Sequence, residues 1–230
     1  MHFQLPKPLH GWRAFVGEVG IIVLGVLIAL AAEQLVETLR WESAARNFRA
    51  AVDHEAALNI GAFEFNQLQQ KCTRRRLEEL QTVLERSRDG KAVQLAAAIS
   101  MPLEISEQSS VWDSKDAQVV QHLPLDVRLK YAALYDEFRT ASGVEEAQFA
   151  VWKKLAAFEE PGPLSLADRR ELHVLIADAV GLDQAMAGNW PGTRDLGRAL
   201  GIKPALPPEI ADIDSHIPQF DLCKPILKAT

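Results

Sequence analysis

Two cysteines and six histidines are the residues of this 230-residue chain best suited to chemistry. Cys72 and Cys223 belong to no CxxC or Cys/His pattern of the kind that holds zinc. In an oxidising compartment they are expected to pair. The bridge would close a loop of about 150 residues and stabilise the fold by roughly 4–5 kcal/mol in the loop-entropy account. It would also pin a proline-rich tail to the body. The alternative is two unrelated buried thiols in a cytosolic domain.

The histidines offer less. His2, His10, His54, His122, His173 and His216 form no HExxH or ExxH motif, so no helix face presents paired metal ligands. His122 and Asp126 straddle Pro124, and Asp212 with His216 falls in the proline-rich tail. Asp53, His54 and Glu55 are consecutive, and consecutive helical side chains point in different directions. All three sets read as solvated surface.

Other catalytic signatures are missing from the sequence. There is no nucleophile elbow, no P-loop and no dinucleotide fingerprint. Gly192-Thr193-Arg194-Asp195-Leu196-Gly197 lacks the Lys-Ser/Thr ending that a phosphate cradle needs. Asp212 and Asp214 read as solvation rather than an acid–base pair. Asp195 to Ile202 echoes the first half of a helix-turn-helix, but Lys203-Pro204-Ala205-Leu206-Pro207-Pro208 forbids a recognition helix after it. No catalytic residue, metal or cofactor is expected. An enzyme with an unrecognised site remains the third choice of function.

Lys71 with Arg74, Arg75 and Arg76 is the strongest basic cluster, suited to anionic lipid or an acidic partner. Glu78, Glu79 and Glu85 follow within helical reach, so a self-paired, solvated face is the simpler reading. Trp112 and Trp152 read as packing residues. Trp190 could equally line a shallow pocket.

Positioning falls to the elements around these residues. Ala14 to Ala32 is the only strongly apolar stretch, and Val19 to Ala32 carries no charge. Its 19 residues would span roughly 28 Å as a helix, close to a bilayer's hydrocarbon thickness. Glu18 lies about one turn from its start, within reach of headgroup water. Trp12 and Trp41 flank it as interfacial anchors. A permanent anchor is favoured over a cleaved signal with Ala29-Leu30-Ala31 as its processing site, because the helical pattern continues through Glu33, Leu35 and Leu39. A buried core helix is the third reading. Gly17, Gly25 and Ala29 share one face, with the small-residue spacing that lets another span approach closely.

The run from Gly17 through Leu30 (Gly-Glu-Val-Gly-Ile-Ile-Val-Leu-Gly-Val-Leu-Ile-Ala-Leu) resembles the opening of an uncharacterised family of bacterial single-span membrane proteins. The resemblance covers about 30 residues and implies topology only: a short N-terminal tail, one span, then a long helix. Positive charges flank both ends of the span, so they orient it weakly. The cysteines favour an inner-membrane protein whose C-terminal domain faces the periplasm.

A net charge of −6 argues against nucleic acid as a partner. Residues 1–13 read as a short tail, 14–32 as the span, 33–202 as a helical bundle and 203–230 as an irregular tail. No proline occurs between Leu9 and Met101, so the span is expected to run on into a long helix. Trp41, Ala45, Phe48, Val52, Ala56, Ile60 and Phe63 form its apolar stripe, and Leu77, Leu80 and Leu84 a second one. Asp89-Gly90 ends it. Shorter helices are expected over 91–100 and Val111 to Leu123.

The next helix starts near Pro124, with Val127, Tyr131, Leu134 and Phe138 facing the core. A bend is expected at Ser142-Gly143, and the helix resumes from Val144 to Phe158. Ser165 and Asp168 cap a further helix to Ala187, with Leu172, Leu175, Ile176, Ala179 and Leu182 inward. A short one covers Thr193 to Leu200. The fold class is all-α, an antiparallel bundle rooted in a membrane helix. The expected function is binding or scaffolding in the envelope, with membrane lipid and an envelope protein, or a second copy through the span, as partners. A periplasmic small-molecule sensor signalling through a partner is the alternative.

Overall fold

The computed structural model describes residues 11–90, 92–103, 107–160, 162–206 and 220–227. Helix α1 runs unbroken for 76 residues, Gly11–Arg86. Two short helices, α2 (Ser110–Asp113) and α3 (Ala117–Gln121), precede the long α4 (Leu125–Leu155) and α5 (Leu166–Leu200). No strand occurs among the described residues. The molecule is all-α, with a long apolar N-terminal helix entering a helical bundle.

Among the described residues, α1 is the one helix long and apolar enough to cross a membrane, and the apolar stretch lies near its start. None of its most apolar window is covered by the rest of the chain, which removes the buried-core reading. Gly17, Gly25 and Ala29 are exposed, and nothing approaches the two glycines within 4 Å of where a side chain would begin.

The bundle begins where α1 acquires its stripe. Ala45, Val52, Ala56, Ile60 and Phe63 are buried, as the spacing predicts, and so are Leu77 and Leu80 further along. Contacts along the helices set their directions. Tyr131 meets Asp53 and Glu145 meets Asn66, so α4 runs parallel to α1. Arg169 meets Ser87 and Gly197 meets Ile60, so α5 runs antiparallel to both. A parallel neighbour needs a long return, and residues 92–103 and 107–109 belong to it.

Two apolar clusters result. The nearer one to the apolar stretch gathers Val52, Ile60, Phe63, Trp112, Tyr131, Tyr135 and Phe138. The farther one gathers Leu77, Leu80, Trp152, Leu155, Leu172, Ile176 and Ile226.

Several boundaries differ from expectation. Residues 92–103 are irregular rather than helical, and the helix expected over Val111 to Leu123 is split at Ser114 to Asp116. No bend occurs at Ser142-Gly143; α4 is one helix. Helix α5 continues through Gly188 and Pro191 to Leu200, so the two expected helices are one. Leu182 is only half-buried, and buried Asp183 beside it occupies the inward position. The Ser165 capping box forms as expected: Ser165 Oγ accepts from the Asp168 amide at 3.2 Å, and Asp168 accepts from the Ser165 amide at 2.8 Å.

The described part of the tail belongs to the body. Ala205 donates its amide to the Ala57 carbonyl at 2.9 Å, lying across Gly61. A Cβ at Gly61 would stand 2.0 Å from the Ala205 carbonyl oxygen. Gly61→Ala is therefore expected to push this segment off α1 and cost roughly 1–3 kcal/mol. A urea unfolding midpoint equal to that of the parent would contradict this.

Candidate functional site

Buried polar groups mark the places where a fold does something other than pack. On α1, Glu55, Asn59, Gln69, Thr73 and Arg76 are all buried. At 100° per residue they fall on one side of the helix. That side faces the irregular segments and short helical turns between and after the long helices, many of whose backbone groups have no partner within their own element.

Each long side chain answers a stretch of backbone. Asn59 donates to the Gln108 carbonyl at 2.6 Å and accepts from its amide at 2.9 Å. Gln69 does the same for Leu103, at 2.9 and 2.8 Å. Glu55 accepts from the amides of Val111 and Trp112 at 2.7 and 3.2 Å, and from the Tyr135 hydroxyl at 2.6 Å. Burial and the bond to Glu55 push the Tyr135 phenol well above its usual range. Tyr131 bonds Asp53 and is raised for the same reasons.

Arg76 is the hub. It donates to the carbonyls of Ala98 (2.9 Å), Asp221 (3.0 Å), Leu222 (3.1 Å) and Lys224 (2.6 Å), and to Glu79 (3.3 Å). Burial lowers its pKa, while neighbouring Glu79 works the other way. One turn earlier, Cys72 and Cys223 form the disulfide, fastening the same tail segment.

Between the two apolar clusters lies a polar cleft lined by Asn66, Gln69, Gln70, Glu145, Gln148 and Asp183, among others. Asn66 donates to Glu145 at 2.7 Å, and Arg74 pairs with Asp183 at 3.2 Å. Burial raises Asp183, opposed by Arg74. The cleft's cavity measures about 20 Å³, room for one water and no substrate-sized molecule.

Beside it, Ser142 donates to one oxygen of Glu107, whose other oxygen is buried without a partner. The Glu107 carboxyl is pushed up to about 7 by burial, against the Ser142 hydrogen bond and with help from the negative charge of Glu145.

This raised value has a sign. Between the ordinary 4.5 and about 7 the folded chain holds more protons than the unfolded one, so stability falls as pH rises through that window. Glu107→Gln removes the ionisable group. It is expected to gain roughly 1–2 kcal/mol more at pH 8 than at pH 5 relative to the parent. Parallel pH profiles of the urea midpoint would rule this out.

Three other concavities are open surface grooves. One holds Lys154, Phe158, Glu160, Asp168 and Glu171; another Leu84, Arg88, Leu166, Arg169, Arg170 and His173; a third Arg74, Leu77, Glu78 and Val180. No group of three or more potential metal ligands occurs among the described residues.

Sequence reasoning misplaced several of these residues. Asp53 and Glu55 are not free surface: they hold the two tyrosines, and only His54 is exposed. The basic cluster is divided. Lys71 and Arg75 are exposed, Arg74 reaches across to α5, and Arg76 is fully buried. Its bond to Glu79 has the expected spacing but lies inside the protein.

His122 stacks on Trp41 at 5.2 Å, while Asp126 pairs with Lys130, so these two do not act together. Gly192 to Gly197 lies within α5 and makes no loop. Trp112 and Trp152 are core residues, and Trp190 stacks on Phe63. His2, His10, Asp212, Asp214 and His216 lie outside the described residues. No protein-family model, curated protein or solved structure matches the chain.

Proposed function

We propose that this chain is a membrane-anchored helical binding or scaffold module of the bacterial envelope, with residues 14–32 in the inner membrane and the body in the periplasm. The observation that carries this reading is the uncovered apolar helix that continues without a break into the bundle. A signal destined for removal has no need to share a helix with the core. The disulfide supports an oxidising compartment. The resemblance of residues 17–30 to single-span bacterial proteins points the same way. Gly17, Gly25 and Ala29 would supply the face on which a second span packs, from a partner or from another copy.

Binding is preferred to catalysis and sensing because Asn59, Gln69 and Arg76, and Glu55 in part, bond the chain's own backbone. The interior cleft admits a water rather than a metabolite.

Affinity capture from gently solubilised membranes is the test. A stoichiometric co-purifying protein is the expected result; bait alone in repeated captures would overturn the reading. Fractionation tests the anchor separately: full-length chain should stay with membranes. A soluble mature form starting near residue 32 would replace the anchor with a cleaved leader.

A further inference from the structure

The end of the bundle farthest from the apolar stretch sorts its charges by face. The first turns of α5 mix signs in sequence: Asp168, Arg169, Arg170, Glu171 and His173. Helical geometry separates them. Asp168 and Glu171 enter a groove with Glu160, whereas Arg169, Arg170 and His173 enter a different one. There they meet Leu84 and Arg88 from the end of α1 and its following turn, and Leu166 from the start of α5. This second groove is open, with about 500 Å³ of space, and has no carboxylate among the described residues that line it.

Elsewhere on the surface, Arg46, Arg49, Arg139, Arg194 and Arg198 have carboxylate partners within 4 Å, whereas Arg40, Arg75 and Arg86 have none among the described residues. Arg88, Arg169 and Arg170 also have none among the described residues. Arg169 is nevertheless held in place, because its Nη1 donates to the carbonyls of Ser87 (3.1 Å) and Arg88 (3.3 Å). A fixed guanidinium loses little freedom on binding. Leu166 is 57 % exposed beside it and adds an apolar seat.

We propose that this groove docks an acidic peptide segment of a partner protein. Its carboxylates pair with Arg88, Arg169 and Arg170, and an aliphatic or aromatic side chain rests on Leu84 and Leu166. The proposal deepens the binding-module reading and rests on it. Cations spread along an apolar groove suit a chain with several charges better than one compact anion, which needs converging donors. The protein's own bilayer is also out of reach: Leu84 lies roughly 75 Å along α1 from Ala32.

Full-length chain in lipid nanodiscs, titrated into a fluorescent peptide of alternating Glu and Leu, tests this by anisotropy. Saturable binding is expected, weakened about tenfold or more by R88E/R170E, and likewise when Gln replaces every Glu in the peptide. Leu166→Asp should weaken it too, and gives a second variant should the double arginine change disturb folding. Glu160→Gln, in the acidic groove, should leave affinity unchanged.

Lack of saturable binding, equal affinity for the Gln peptide, or full affinity in both groove variants would overturn the proposal. Complete competition by inorganic phosphate or by phosphatidylglycerol vesicles would also overturn it, assigning the groove to phosphate groups instead. Partner capture separates the two readings. A partner retained equally by R88E/R170E removes this groove but leaves the scaffold; bait alone from the parent chain removes the scaffold.

Discussion

Arg76→Met is expected to destabilise the protein by roughly 3–5 kcal/mol and to free together the two segments it holds, 92–103 and 220–227. Methionine fills much of the space but donates nothing. The carbonyls of Ala98, Asp221, Leu222 and Lys224 would then be left without this donor in a place that water does not reach easily. Among the described residues, Glu79 would keep only the Ile226 amide, 3.3 Å away. Lysine retains the charge but cannot span carbonyls from two segments at once, so Arg76→Lys should recover only part of the loss. Urea unfolding measures the cost, and limited proteolysis at 92–103 and 220–227 reports the release. A methionine variant within 1 kcal/mol of the parent would refute the hub.

Loss of the Cys72–Cys223 bridge should be as severe, about 4–5 kcal/mol in the loop-entropy account, because the cysteines stand 151 residues apart. The double serine variant is the clean comparison, with reduction of the parent as its check. Alkylation of native protein under non-reducing conditions should label neither thiol; two freely labelled thiols would remove the bridge. The Arg76 and disulfide effects should not add. Both hold residues 221–224, so a variant lacking both should lose less than the sum.

The apolar skeleton was legible because it is periodic. Val52, Ala56, Ile60 and Phe63, or Leu172, Leu175, Ile176 and Ala179, announce themselves by spacing alone. The polar side of α1 was not legible. Glu55, Asn59, Gln69 and Arg76 look like ordinary solvent-facing residues of an amphipathic helix. Their partners are main-chain groups of segments that carry no period, so no pattern in either stretch predicts the meeting.

The breaks were overread for a different reason. Gly143, Gly188 and Pro191 each weaken a helix locally by about 1–3 kcal/mol. Packing on both sides outweighs that: Phe138, Ala141, Glu145 and Gln148 are buried on α4, as are Met186, Thr193 and Gly197 on α5. Pro191 lies on the exposed side, where water can serve the carbonyl left without its donor. The disulfide was legible from residue type and compartment logic, whereas Arg76 beside it was masked by the acidic residues that follow.

The continuity of α1 makes it a ruler. With Ala32 at the lipid surface as proposed, the tip at Arg86 stands roughly 80 Å above it, at a height set by residue count. Removing seven residues from the exposed stretch between Glu33 and Arg40 would lower the whole bundle by about 10 Å and turn it only about 20°. Removing two would lower it about 3 Å but swing it about 200°, to face the opposite side. A partner fixed in the envelope would tolerate the first far better than the second where orientation matters, and neither where altitude does.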